Sequence, residues 1–310
     1  SMLSLELAHA LIAATATDTR LILLGDADQL AAVEPGAILH DLSHHPALQN
    51  HRITLRESQR FRADSGIGQL AAILGEIPAD CPRNRFIRLR DPATMHHILK
   101  LPHLERIHGF VLPKITAASL SDYRDLRGTA FRLMPTLETQ ETYRESEVLR
   151  LLDTFDRDGW RAHILCLRIG GNDLISHLHL RRPRDATLYA TPVGSLIDRL
   201  VGIYKPHGYH LSAPVFEILD QPELLAQEVR EDLRHGLTGK SAIHPAQVAV
   251  IEREYCVSRE ERDLAQQILA SEEAVFRAGG AMQETAVHRN WAQATLHRAA
   301  AFPAAAEDGV

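Results

Sequence analysis

The sequence predicts a parallel α/β protein: most of a (β/α)8 barrel, preceded by a smaller α/β segment. Three observations point there. Six short apolar runs alternate with helix-length amphipathic stretches from Phe86 onward, as in a parallel sheet covered by helices. Two of the runs end on carboxylates, and strand ends are where parallel barrels place their chemistry. The chain has 310 residues, 45% of them hydrophobic, enough for a sizeable core, and it lacks an apolar run long enough to cross a bilayer. Without a basic-then-apolar leader, a soluble cytoplasmic protein is expected, with no membrane partner.

Taken in order, the chain begins with a helical pattern from Leu3 to Ala14, rich in Leu and Ala. A short strand, Arg20 to Leu24, runs into Gly25-Asp26-Ala27-Asp28-Gln29-Leu30, and a second is expected over 52–56. Residues 1–80 carry 5 Arg, no Lys and 10 acidic residues, a net of −5, while the remainder holds 29 basic and 30 acidic residues. Neither part has the clustered cations that phosphate contacts need, so no nucleic-acid partner is expected. The stretch GEIPADCPRNR, with two prolines and a glycine, reads as a join, and the boundary falls near residue 80. Cys81, Cys166 and Cys256 are scattered and odd in number, which implies neither a disulfide framework nor a CxxC metal site and fits a reducing compartment.

The candidate strands of the barrel are 86–90, 109–114, 132–138, 163–169, 211–217 and 237–243. Between them Val148, Leu151, Leu152 and Phe155 recur at helical spacing, as do Leu225, Val229 and Leu233. The most informative stretch is Arg161 to Leu174, RAHILCLRIGGNDL, a buried-strand pattern that breaks at Gly170-Gly171 and delivers Asn172 and Asp173. The run RLMPTLE likewise ends on Glu138. Two strands ending in acids point to a shared divalent cation, since Mg²⁺ commonly takes one or two carboxylates plus substrate oxygens.

The runs RLILLGDADQLAAVEPGAILHDL and ITLRESQRFRADSGIGQLAAIL resemble the RecD-type helicase subunit of bacterial exonuclease V over roughly residues 1–74. The resemblance implies that Gln29 couples nucleotide hydrolysis to DNA and that Arg60 faces nucleotide phosphates. A helicase also needs a Gly-rich loop with Lys and an acidic pair for Mg²⁺. Neither the Walker A nor the Walker B pattern is present, so ATP hydrolysis is not expected of this fragment.

A second resemblance rests on GFVLPKI, LMPTLET, LRIGGNDL, TPVG, APVFE, GLTGKSAIHPAQ and the terminal ETAVHRNWAQATLHRA, in order. From about Phe86 onward the chain is similar to the HpcH/HpaI aldolase and citrate lyase beta-subunit superfamily, in particular its C–C bond lyase branch of the TIM-barrel fold. The resemblance implies Glu138 and Asp173 as Mg²⁺ ligands and catalytic residues, with Arg88 binding a substrate carboxylate or carbonyl oxygen. Lys114 and Glu217, at strand ends, are implied as further substrate-binding or orienting groups, and His244 as a residue of the mouth. A metal and a guanidinium suit the oxyanion that develops when a bond next to a carbonyl is cleaved. The family's barrel normally begins with two more strands, so an N-terminally incomplete barrel over 81–310 is expected. Its open edges favour self-association.

Each assignment has a plainer counterpart. An Asp after a Gly-Gly turn is often a helix cap. Arg88 and Arg90 share a strand face, and one of them can be a surface residue. The adjacent pairs His44-His45 and His96-His97 read as solvated, His177 and His179 as ordinary polar packing, and Ala301 to Val310 as a frayed tail. The expected function is that of a Mg²⁺-dependent carbon–carbon lyase or aldolase acting on a small oxo- or hydroxy-acid or its coenzyme A thioester. The rivals are a catalytically inactive chimera or scaffold and the remnant of a DNA helicase subunit.

Overall fold

The computed structural model describes Ala13, His45, Leu70 and residues 73–78 and 84–302. Apart from Ala13, the expected helix at Leu3–Ala14 lies outside the described residues. So do the strands at 20–24 and 52–56, Gln29, Arg60, and the tail from residue 303. The chain divides between Gly68 and Gln69, and the architecture below is that of the second unit.

Five parallel strands form one sheet in chain order: β1 (Phe86–Arg88), β2 (Gly109–Leu112), β3 (Arg132–Leu137), β4 (Leu167–Ile169) and β5 (Leu211–Ser212). The helices between them are α1 (Pro92–Ile98), α2 (Glu145–Arg157), α3 (Gly171–His177) and α4 (Pro192–Tyr204), and α5 (Pro222–Arg234) follows β5. Sequential parallel pairing with helical crossovers is the arrangement the alternating pattern predicts. The sixth expected run contributes a parallel bridge between Lys240 and Ala213, with Ala213 N–H donating to Gly239 O at 2.7 Å. Several strands are shorter than their apolar runs. Pro113 and Pro214 follow β2 and β5 closely, and proline has no N–H to carry a ladder onward. The run 163–169 is realised in two parts: Ile164 bridges Leu133, and Leu167–Ile169 pairs with β5 and the end of β3.

Alternation along the strands gives the sheet two unlike faces. Toward the helices it presents Leu89, Phe110, Leu112, Leu133, Leu137, Leu167, Ile169 and Leu211, all buried in one cluster. Against them pack Val148, Leu151, Leu152 and Phe155 of α2 and Leu196, Ile197 and Leu200 of α4, at the spacing an amphipathic helix requires. Leu74, in a short helical stretch at 73–76, joins the same cluster, and Arg106 ties that stretch down by donating to the carbonyls of Leu74, Gly75 and Ile77. The opposite, inner face carries Arg88, Val111 and Met134 in one lateral row and Thr136, Arg168 and Ser212 in another. That face is polar, and it holds the candidate site.

Helix starts follow local chemistry. Asp91 caps α1 by accepting from Thr94 N–H at 2.7 Å, and Thr191 caps α4 ahead of Pro192. The end of the chain adds α6 (Pro245–Tyr255), α7 (Arg259–Ala270), an antiparallel hairpin of β6 (Val275–Ala278) and β7 (Ala281–Glu284), and α8 (Thr285–Ala301). The hairpin is absent from the sequence reading, although its turn is marked. Gly279 and Gly280 both take positive φ, 60° and 78°, which a two-residue type I′ loop demands.

Candidate active site

β3 delivers Glu138 as the first residue past its end, and the carboxylate is buried although its neighbours are charged. Its Oε1 accepts the backbone N–H of Lys114 at 2.9 Å and lies 3.6 Å from Arg88 Nη2. Lys114 can aim that N–H because it sits just beyond Pro113 in the left-handed region, at φ 52°, an unusual conformation for a residue with a side chain. The same lysine's Nζ is 4.0 Å from Asp173 Oδ1.

Asp173 is placed by the Gly170-Gly171 turn. Gly170 N–H donates to Leu137 O at 3.0 Å, locking the end of β4 to the end of β3. A Cβ at Gly170 would stand 2.4 Å from Glu138 Cβ and 2.5 Å from its Oε2; at Gly171 it would stand 2.7 Å from Pro214 Cβ. Only glycine lets these two strand ends approach, and α3 then starts at once with Asp173 in its first turn. The Gly-Gly signal therefore marks close approach of strands, and α3 has no side-chain N-cap hydrogen bond. Gly170→Ala is expected to push the Glu138 carboxylate aside and weaken Mg²⁺ binding at least about tenfold, read by titration calorimetry. Unchanged affinity would disconnect the turn from the site.

The electrostatics match this geometry. Burial pushes the Glu138 carboxyl above its usual range, the Lys114 N–H bond opposes that, and the neighbouring negative charge of Asp173 adds to it. A buried carboxylate held above its usual range, with a second carboxylate facing it, makes a place for a small hard cation. Among the described residues no three His, Cys, Asp or Glu converge on one point. A cation here would thus take Glu138 and Asp173 and complete its shell with water or substrate oxygens, a donor set that fits Mg²⁺ and not a protein cage.

Four of the five residues expected at the site, Arg88, Lys114, Glu138 and Asp173, stand together. The fifth, Glu217, is engaged elsewhere: Arg182 donates from Nε to Glu217 Oε2 at 2.7 Å, from Nη1 to Glu228 Oε2 at 2.5 Å and from Nη2 to Val215 O at 2.8 Å. That arginine belongs to a buried network in which Lys240 Nζ donates to Glu228 Oε1 and Asp232 Oδ2 at 2.9 Å each, and Tyr189 OH donates to Asp232 Oδ1 at 2.7 Å. His244 caps α6 through Ala246 N–H. His177 Nε2 lies 3.3 Å from the carbonyl oxygen of Glu138, so this histidine supports the end of β3. The sequence reading missed Arg168, Arg182, Glu228, Asp232 and Lys240. For Arg168 a signal existed, a cation inside an otherwise apolar strand run.

Residues 47–304 match the model of the C–C bond lyase family of the TIM-barrel fold. The chain belongs to that family. Residues 1–78 match an AAA domain, so the two matches share residues 47–78. The RecBCD enzyme subunit RecD of Mycobacterium tuberculosis is 36% identical over 138 residues, which is 40% of this chain and 24% of that protein. The chain thus spans about a quarter of the length of that curated relative. Among solved structures, a citrate lyase from Burkholderia xenovorans LB400 superposes with a TM-score of 0.57 at 18% identity, covering 78% of this chain and 81% of that one. CitE from Mycobacterium tuberculosis, solved with magnesium, acetoacetate and coenzyme A, gives a TM-score of 0.49 at 21% identity over 69% of this chain and 89% of its own. At 18% identity the likeness to the Burkholderia protein is one of fold. The C–C bond lyase family and the parallel α/β architecture agree with the expectation from the ordered motifs, and the RecD-like stretch lies where the sequence placed it. No helix among the described residues is long and apolar enough to cross a membrane.

Proposed function

We infer that the protein is a Mg²⁺-dependent carbon–carbon lyase acting on a small oxo- or hydroxy-acid or its coenzyme A thioester, with Glu138 and Asp173 as the metal ligands. The observation that carries this reading is the convergence of Glu138, Asp173, Arg88 and Lys114 at the ends of neighbouring strands. Bound there, Mg²⁺ would supply a Lewis acid for the negative charge that develops on a carbonyl oxygen as the adjacent carbon–carbon bond breaks. Arg88, with a side chain 59% exposed, reaches from β1 with its guanidinium beside Glu138 and can fork a substrate carboxylate, a planar match that lysine lacks. Lys114 adds an exposed ammonium on the Asp173 side. The buried Glu138 carboxylate keeps its orientation through the Lys114 N–H bond, so the ligand is positioned before the cation arrives.

A second reading, a family member that has lost its activity, is favoured by the two side-chain cations that already stand against the carboxylates, Arg88 at 3.6 Å from Glu138 and Lys114 at 4.0 Å from Asp173. Calorimetry separates the two. Saturable Mg²⁺ binding by the intact chain, weakened by about a hundredfold or more in Asp173→Asn, is expected of the working site. A folded chain that binds no Mg²⁺ would leave only the inactive reading.

A further inference from the structure

Resting on that reading, one residue of the inner face remains without an explanation. Arg168 lies in the middle of β4, half-buried, on the face that carries Glu138 and in lateral register with Thr136 of β3 and Ser212 of β5. Its side chain donates from Nη2 to the hydroxyl of Ser241 at 2.7 Å, and that neutral oxygen is its one hydrogen-bond partner among the described residues. Burial disfavours the charge of its guanidinium. Beside it, the Thr136 hydroxyl is buried without a hydrogen-bond partner.

Arg182 is buried and meets two carboxylates and a carbonyl, a matched set for a structural cation. Arg168 is only half-buried and has five N–H donors against one hydroxyl partner, so its guanidinium keeps donors to offer an anionic group. The groups around it are of the kind that hold an oxyanion: a fork of N–H donors, the Ser241 hydroxyl, and an idle hydroxyl on Thr136.

We propose that Arg168, Ser241 and Thr136 form an oxyanion-binding subsite in the inner layer of the barrel, one pleat below Glu138, which holds an anionic group of the substrate distinct from the one at the metal. The site would then select acids carrying a second charged oxygen group, either a carboxylate or a phosphate. Arg88 and the metal would engage the reacting end, while Arg168 would fix the other.

The test is a titration of the full chain, without added metal, with inorganic phosphate and separately with oxalate. Leaving the metal out keeps the result independent of whether Glu138 and Asp173 bind Mg²⁺. Saturable binding of one probe is expected, weakened about tenfold or more in Arg168→Gln, a few-fold in Ser241→Ala, and partly restored in Arg168→Lys. Tighter phosphate binding would assign a phosphorylated substrate, tighter oxalate binding a second carboxylate. Should Arg168→Gln fail to fold, the Ser241→Ala and Arg168→Lys titrations decide. Equal affinity in the parent and the variants, or no saturable binding of either probe by the folded parent, overturns the subsite.

Discussion

Glu138→Gln is expected to abolish Mg²⁺ binding and, in the absence of metal, to make the protein more stable at neutral pH. The carboxylate is buried beside Asp173, and its pKa is raised chiefly by burial. A carboxyl whose folded pKa lies above its unfolded value favours the fold at low pH, and that contribution is lost as pH rises through the folded pKa. At pH 7 the ionised group is therefore a burden that the neutral amide relieves, while Gln can still accept the Lys114 N–H. A higher melting temperature is expected at pH 7, the gain shrinking toward zero as the pH falls to the ordinary glutamate range at about 4. Melting curves in chelator at both pH values, with calorimetric Mg²⁺ titration, check this. Retained Mg²⁺ affinity would remove Glu138 from the ligand set, and a lower melting temperature at pH 7 would mean that its hydrogen bond outweighs its desolvation. Stability sacrificed for a charged ligand is a common mark of a functional site.

The opposite outcome is expected of Lys240→Met. The Lys240 ammonium is fully buried between Glu228 and Asp232, and it offsets two carboxylates that otherwise face each other away from water. Burial works against ionisation of both acids. Lys240 and Arg182 nevertheless hold Glu228 below its usual range, while Asp232 remains above its own. Removing one partner of a buried ion network leaves uncompensated charge and typically costs about 3–5 kcal/mol. Equilibrium unfolding in urea should show that loss, and Glu228→Gln should cost less in the Lys240→Met background than alone, since the two share an interaction. A cost below about 1 kcal/mol would mean that water reaches the cluster. The network joins α5 to the loop at Thr187–Tyr189 and to the Lys240 bridge, so this loss would act on the side of the sheet where β5 stands.

What could be read from the residues follows from which interactions are local. Strand-helix alternation, the helical spacing of Val148, Leu151, Leu152 and Phe155, and the Gly170-Gly171 turn are patterns within one segment, and each appears in the structure as expected. That Glu138 and Asp173 stand close together was legible because strand ends in a parallel sheet lie side by side. Their partners were legible only in part. The Lys114 backbone N–H reaches Glu138 through a left-handed conformation that no composition rule predicts at a lysine. Glu217, at the end of an apolar run like the others, is captured by Arg182, 35 residues away in sequence. Arg182 itself lies in the mixed stretch RRPRD, where one arginine looks like another until tertiary packing buries it. The hairpin at Val275–Glu284 was missed because its strands alternate weakly, yet its Gly-Gly turn was in plain view.

The two unlike faces of the sheet separate adhesion from chemistry. Phe110, Leu112, Leu133, Leu167 and Leu211 anchor the helices from one side, while Arg88, Thr136, Arg168 and Ser212 sit on the other and share none of that packing. A point mutation on the inner side can therefore change the polar face without loosening the scaffold. If that face handles the substrate as proposed, drift in substrate preference within such a lineage should be recorded at positions 88, 136 and 168, while the leucines behind them stay fixed.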